Sequence, residues 1–270
     1  MRLSFFLLFL ASLCSQAAAS PIVFTIDPSQ SSLTLSPSTS IGGSPLPWSA
    51  QGANSLVASY SGTISVDLTA NSIQLLSVGS QITAGNSGEW SPGTDYSGDN
   101  YIYNDPTSPY VLASAPANYG VTTILPQGLG GGYPSDTATR SLAFALSDAA
   151  AKPLVGGSFD EAGSAVSILS GTVFYNQGGS PPITNLAGPG IGVTPTQGVA
   201  GFGTIDIVGG QYVLTLPISF TTSFGIVVLD VASTYSGILV ATAPVPEPAT
   251  WALVAVAVAV LGLRRLVGAG

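Results

Sequence analysis

Gln211-Tyr212-Val213-Leu214-Thr215-Leu216-Pro217-Ile218-Ser219-Phe220 is the stretch whose pattern decides the fold class. Its large apolar side chains, Tyr212, Leu214, Leu216, Ile218 and Phe220, fall on every second residue, and Val213, Thr215 and Ser219 take alternate places. Successive side chains of a strand point to opposite faces, so this period of two predicts a half-buried β-strand. Gly209-Gly210 just before it is a candidate two-residue hairpin turn. Pro217 has no N–H to give a ladder and is expected at a sheet edge or a bulge. Gly225 to Val231 and Tyr235 to Thr242 complete a three-stranded meander that runs into a proline-rich linker.

Upstream the same pattern recurs. Ile22 to Ile26 is apolar and β-branched and stops at Asp27-Pro28; Ser32 to Leu35 follows, then a proline- and glycine-bearing stretch from Pro37 to Gly52. Ile64, Val66 and Leu68 alternate with Thr63, Ser65 and Asp67, Asn71-Ser72 makes a turn, and Ile73 to Val78 returns. Leu142, Phe144 and Leu146, then Val166 to Phe174, then Gly203 to Val208 supply further strands. These predict an all-β domain over residues 20–243, an antiparallel barrel or sandwich of about 10–13 strands. No convincing helix is legible inside it; Asp148 to Lys152 is the one place for a single turn, which Pro153 would end. One internal echo stands out: Val57-Ala58-Ser59-Tyr60-Ser61-Gly62 against Val231-Ala232-Ser233-Thr234-Tyr235-Ser236-Gly237. Its spacing is too long for a solenoid and points to two strands in similar surroundings.

The two ends of the chain read differently from its middle. Arg2 precedes an apolar run from Leu3 to Leu13, and Ala17-Ala18-Ala19 offers a small-residue cleavage site before Ser20, the layout of a secretory signal peptide over residues 1–19. Leu13 before Cys14 is too large for lipoprotein processing, so Cys14 is expected to leave with the signal. At the other end, residues 244–248 form a linker holding Pro246-Glu247-Pro248, residues 249–263 carry no charge, and Arg264 and Arg265 open a basic tail over 264–270. The apolar run is about 22 Å long as a helix, short for a hydrocarbon core of about 30 Å unless arginine stems and the preceding residues extend it. Only a helix satisfies its own backbone in lipid, so a transmembrane helix is expected, with Arg264 and Arg265 on the cytoplasmic side as its stop.

Pro-Glu-Pro, a short apolar segment and a basic cluster, in that order at the C-terminus, resemble the PEP-CTERM sorting signal. The resemblance implies a Gram-negative bacterium that makes exopolysaccharide, and an integral-membrane exosortase that recognises and cleaves the tail. It would make Pro246, Glu247 and Pro248 the recognition and processing motif, and it covers about 25 of the 270 residues. Phe24-Thr25-Ile26-Asp27-Pro28-Ser29-Gln30-Ser31-Ser32-Leu33 is also similar to the start of the lipocalin-like barrels of the bacterial polyisoprenoid-binding family, which tilts the fold towards a barrel and carries no function over.

Removing the two targeting segments sharpens what the middle can do. The single Cys goes with the signal, so no disulfide staples the exported domain. Of the basic residues only Arg140 and Lys152 remain, against twelve acids, a net charge near −10. Nucleic acid and anionic lipid are poor partners for such a domain. The absence of His excludes Ser–His–Asp and Cys–His catalysis and imidazole metal sites. Gly128 to Gly132 is glycine-rich but runs into Tyr133-Pro134, without the Lys-Ser/Thr and helix start of a phosphate loop. Paired carboxylates are the catalytic chemistry left, and adjacent Asp160 and Glu161 would point to opposite faces of a strand.

The most suggestive surface stretch runs from Glu89 to Tyr110. Trp90, Asp95, Asp99, Tyr101, Tyr103 and Asp105 there bring carboxylates and aromatic rings together. Oxygen donors on a loop suit calcium, although the spacing matches no EF-hand; aromatic rings beside Asp and Asn suit a sugar; the third reading is a polar inter-strand loop packing over one end of the barrel. No cofactor is assigned, calcium being the single cation considered.

These readings combine into one expectation: a non-enzymatic cell-surface or extracellular-matrix protein of unknown molecular activity. It would be anchored in the inner membrane through its tail before processing and displayed outside afterwards. Its partners would be the secretion machinery, exosortase and exopolysaccharide. The alternative is a glycan- or small-ligand-binding β module on the envelope.

Overall fold

A computed structural model describes residues 21–90, 115–124, 134–175, 183–197, 202–226 and 229–245. All its regular structure is β. In chain order the strands are β1 (Ile22–Ile26), β2 (Ser32–Ile41), β3 (Ser44–Pro45), β4 (Trp48–Ala50), β5 (Val57–Leu68), β6 (Ser72–Ala84), β7 (Gly88–Trp90), β8 (Ala115–Ala117) and β9 (Tyr119–Ile124). They continue as β10 (Pro134–Ser147), β11 (Lys152–Pro153), β12 (Ser158–Phe159), β13 (Ala165–Tyr175), β14 (Ile183–Asn185), β15 (Gly192–Val193), β16 (Gly203–Val208), β17 (Gln211–Ile226) and β18 (Leu229–Pro244). These eighteen strands exceed the expected 10–13: ten have five residues or more, and the rest are pieces of two or three that the sequence pattern does not mark. No helix is found among the described residues, and so none long and apolar enough to cross a membrane.

Sixteen strands form one antiparallel sheet whose main path is β12-β16-β17-β18-β1-β5-β6-β10-β13-β14, and β7 pairs β8 separately. β1 and β2 both lie between β18 and β5, as two consecutive pieces of one rail broken at residues 27–31. In that break the Asp27 carboxylate accepts from Ser29 N and Ser29 Oγ at 2.9 and 2.7 Å and from Gln30 Nε2 at 2.7 Å, which fixes the Asp-Pro turn and lowers the acid's pKa. The sheet curls until the Phe144 ring of β10 lies 4.9 Å from that of Phe220 on β17, although four strand positions separate them. Residues 183–197 then cross between the two edges: β14 pairs β13, and β15 pairs β17. A single curled sheet around one apolar core is a barrel with added strands, which decides the barrel-or-sandwich alternative.

The alternation that announced β17 fills this core. Leu214, Leu216, Ile218 and Phe220 are buried, and β18 runs beside them from Gln211↔Pro244 to Ile226↔Leu229. Gly209 and Gly210 both have positive φ (57° and 79°), the backbone of the I′ hairpin turn expected between β16 and β17. Ser219 O accepts from Gln197 N and Thr221 N donates to Thr194 Oγ1, so odd-numbered residues here turn their backbone groups away from β18. Pro217 therefore aims its missing donor at the outer flank, just past Thr215 where pairing with β16 stops. Edge placement was the expectation, and it holds on that flank.

The Tyr-Ser-Gly echo marks equivalent places on the two strands that border β2. Tyr60 and Tyr235 are both buried, and Tyr119 from β9 joins them, with its hydroxyl 2.7 Å from that of Tyr60 and its ring 5.6 Å from that of Tyr235. Each motif's glycine touches a neighbouring backbone. A Cβ at Gly62 (φ +115°) would lie 2.0 Å from Gln81 O, and one at Gly237 would lie 2.1 Å from Ser32 O.

Three local expectations change. Gly225 to Val231 is no separate strand: β17 runs on to Ile226 and β18 spans Leu229 to Pro244, so the expected three-stranded meander is one long antiparallel pair, held by side-by-side ladder bonds along its whole length. β6 continues past Val78 to Ala84, because residues 77–80 bulge out between the pairs Ser65↔Leu76 and Thr63↔Gln81. Ser80 Oγ bonds Leu76 O and accepts from Ser65 N, which holds the bulge together. Asp148 to Lys152 forms no helical turn: Asp148 N donates to Leu75 O and its Oδ2 accepts from Leu75 N, so bonds to β6 hold its start, and a bend at residues 149–150 leads into β11.

Candidate functional site at the terminal end of the barrel

Most residues singled out in the sequence lie outside the described residues: Ala17, Ala19 and Ser20; Asp95, Asp99, Tyr101, Tyr103 and Asp105; Pro246, Glu247 and Pro248; Arg264 and Arg265. Gly128 to Gly132 lies outside as well. Trp90 is placed. It ends β7, its Nε1 donates to Ser87 Oγ at 2.8 Å, and its ring lies over Gly52, Gly88 and Gly120, where a Cβ would come within 2.9, 2.6 and 2.6 Å of it. This ring is packed against backbone and anchors the first residues of the loop. Among the described residues no group of three or more His, Cys, Asp or Glu is placed to hold a metal.

A buried polar cluster escaped the sequence reading. Lys152 Nζ lies 3.0 Å from Asp148 Oδ1 and donates to Ser164 Oγ at 2.7 Å, while Ser164 Oγ lies 2.6 Å from Asp148 Oδ1 and 2.8 Å from Glu161 O. Thr196 Oγ1 also donates to Glu161 O, at 2.7 Å. Asp160 and Glu161 stand in the loop before β13, not on a strand, so the opposite-faces argument does not apply to them. The Glu161 side chain is 2 % exposed, and neither of its carboxylate oxygens has a hydrogen-bond partner among the described residues. Burial pushes its pKa from 4.5 up to about 7, with the Lys152 ammonium opposing and Asp160 and Asp148 adding to the rise. The legible trace was an opposite-charge pair four residues apart that used one of the two cations left to the domain.

A serine within hydrogen-bond reach of a lysine is the geometry of an activated nucleophile. Here it lacks two requirements of that chemistry. Lys152 Nζ is engaged by Asp148 Oδ1 at 3.0 Å and is not free to serve the serine as a base, and Ser164 is 1 % exposed, out of a substrate's reach. The cluster instead clamps the β10–β11 connection, the loop before β13 and the strap around Thr196 to one another.

An open groove lies at the end of the barrel where the first and last described residues, Pro21 and Val245, stand. β1 starts at Ile22, β18 ends at Pro244, and the two strands pair near their open ends through Thr25↔Thr242. Pro21, Val23, Leu154, Ile207, Tyr212 and Pro244 are among the residues around a groove of about 960 Å³ there. Neighbouring turns are tied to it: Leu154 N donates to Asn71 O, Ile205 N to Gly157 O, and Val245 N to Gly210 O, at 2.9, 2.8 and 3.3 Å. The walls are mainly aliphatic, which suits an apolar surface and offers no catalytic acid–base pair. Comparison with family profiles, with curated proteins and with solved structures found no match for this chain.

Proposed function

We propose that this chain is an exported, non-enzymatic β-barrel protein of the cell surface or extracellular matrix, carried and sorted by its C-terminal tail. The observation that carries the reading is where the folded domain starts and stops. Its first strand begins at Ile22, just after the Ala19–Ser20 cleavage site, and its last ends at Pro244, just before Pro246. The core residues found among the described residues run from Phe24 to Ala243, between the two targeting segments. Both could then be removed without cost to the fold. In this reading Pro246, Glu247 and Pro248 are the motif a membrane-embedded processing enzyme recognises, and Arg264 and Arg265 stop the tail in the membrane.

The test is the intact mass of the protein recovered from the outside of the producing cell. A mass starting at Ser20 and ending near Pro246 to Pro248 supports the reading. A mass that retains residues 249–270 refutes the sorting step. Changing Glu247 to Ala, or both arginines to Asn, should leave unprocessed protein in the inner membrane; processed protein outside from either variant would overturn the role given to that motif.

A further inference from the structure

We propose that the terminal end of the barrel is a lipid-facing surface that rests on the outer leaflet of the inner membrane while the tail is anchored. This deepens the sorting reading and rests on it. Large apolar side chains stand exposed at that end: Val23 at 50 %, Val155 at 76 %, Ile207 at 65 % and Val208 at 61 %. They ring the aliphatic groove, and Ile207 and Val23 belong to its wall. Exposed apolar residues scattered singly need no explanation, but a cluster around an apolar groove marks an interaction surface.

The occupant follows from the chain that leaves this end. Val245 is bonded to the turn beside Val208, and the uncharged run of the tail begins four residues later, at Ala249. Four extended residues span at most about 14 Å. The headgroup layer on each side of a bilayer is about 5–7 Å deep, taken from a total of about 40–45 Å around a core of about 30 Å. A barrel on so short a tether is held within about 10 Å of the headgroups, and the face it turns to them is the apolar one. The signal sequence would leave from the same end through Pro21, so a precursor carrying both segments would be tethered twice on one side. Asp67 and Asp206 are exposed on the flanking strands, so neutral lipid suits the surface better than anionic lipid.

The experiment uses the full chain with Cys14→Ser, so that one introduced thiol carries an environment-sensitive fluorophore. Val155→Cys reports the terminal end. Ser44→Cys reports the opposite end, because β2 and β3 meet β18 at Leu229 rather than at Pro244. Both sites are exposed, so neither substitution disturbs the core. The protein is reconstituted into phosphatidylcholine vesicles that carry a doxyl-labelled phosphatidylcholine quencher, and binding is read independently by flotation. Co-flotation with a label at 155 quenched and blue-shifted, and a label at 44 unchanged, is the expected result. Co-flotation with both labels alike overturns the lipid-facing surface and leaves the tail anchor standing. Failure to float overturns the tail anchor itself, and the inference with it. A label at 155 protected without lipid, in a sample that sediments as a dimer, would assign the surface to a second copy and also overturn it.

Discussion

Raising the pH from 5 to 8 should weaken the fold by a few kcal/mol, and Glu161→Gln should remove that loss. The cause is the burial of the Glu161 carboxyl, which lifts its pKa from 4.5 in the unfolded chain to about 7 in the folded one. Well below pH 4.5 the group is protonated in both states and contributes nothing to the pH dependence. Between 4.5 and 7 the unfolded chain has released a proton that the folded chain still holds, so stability falls as pH rises. Above 7 both states are ionised and the whole cost of a buried charge is in place, roughly 3 kcal/mol. Part of it is already present at pH 5, so the loss between pH 5 and 8 is somewhat smaller than the full cost.

For a domain of this length that loss corresponds to a fall in Tm of about 5–10 °C. The window is unusually clean. With no histidine in the chain, the α-amino group is the other group whose ordinary pKa falls within it. Urea unfolding followed by tryptophan fluorescence at several pH values reads the slope directly. Glutamine keeps the size of the side chain and removes the titration. Its amide brings buried N–H groups of its own, so the pH slope, not absolute stability, is the quantity to compare. A wild-type profile flat from pH 5 to 8, or a Gln variant with an undiminished slope, would refute the assignment.

Other perturbations test other parts of the fold. Gly62→Ala and Gly237→Ala should each cost more than about 2 kcal/mol in denaturant unfolding, because the new Cβ meets a backbone oxygen at 2.0 and 2.1 Å. Lys152→Met should cost about 3–5 kcal/mol at neutral pH, since it strands the buried Asp148 carboxylate; thermal unfolding measures it. Tyr60→Phe should cost about 1 kcal/mol, because Tyr119 keeps its bond to Leu33 O. Tyr119→Phe should cost about 2–3 kcal/mol in the same assay, since it leaves the buried Tyr60 hydroxyl without its partner.

How far the sequence could be read follows from the range of the interactions involved. β17, the Gly209-Gly210 turn and the strands from Ile64, Leu142 and Val166 are announced by a period of two, which is local and survives any tertiary arrangement. The bulge at residues 77–80 breaks that period, so the second half of β6 went unread although Ile82 and Ala84 are core residues. At Asp148 a spacing of four resembled one turn of helix, and bonds to Leu75, 73 residues earlier, decided otherwise. The clamp was invisible for the same reason. Ser164 reaches Asp148 and Lys152 only once the loop before β13 folds back over the end of β10, and no local pattern encodes that.

The clamp and the apolar end are mechanically one piece. Lys152 pairs with Ile73 in the ladder while its ammonium is held by Asp148 and Ser164, and Leu154, two residues on, enters the groove wall and bonds Asn71. Val155 projects from the turn that follows, and that turn is fixed in turn by the bond from Ile205 to Gly157. A hairpin of this length, with so little area of its own to bury, would fray in water without an anchor at its base. A salt bridge to the buried Asp148 carboxylate stands at that base. Its placement makes physical sense if the hairpin's exposed valine must be held at a set position relative to Val245 and the chain leaving it. A pair retained for stability alone would gain little over well-packed apolar side chains.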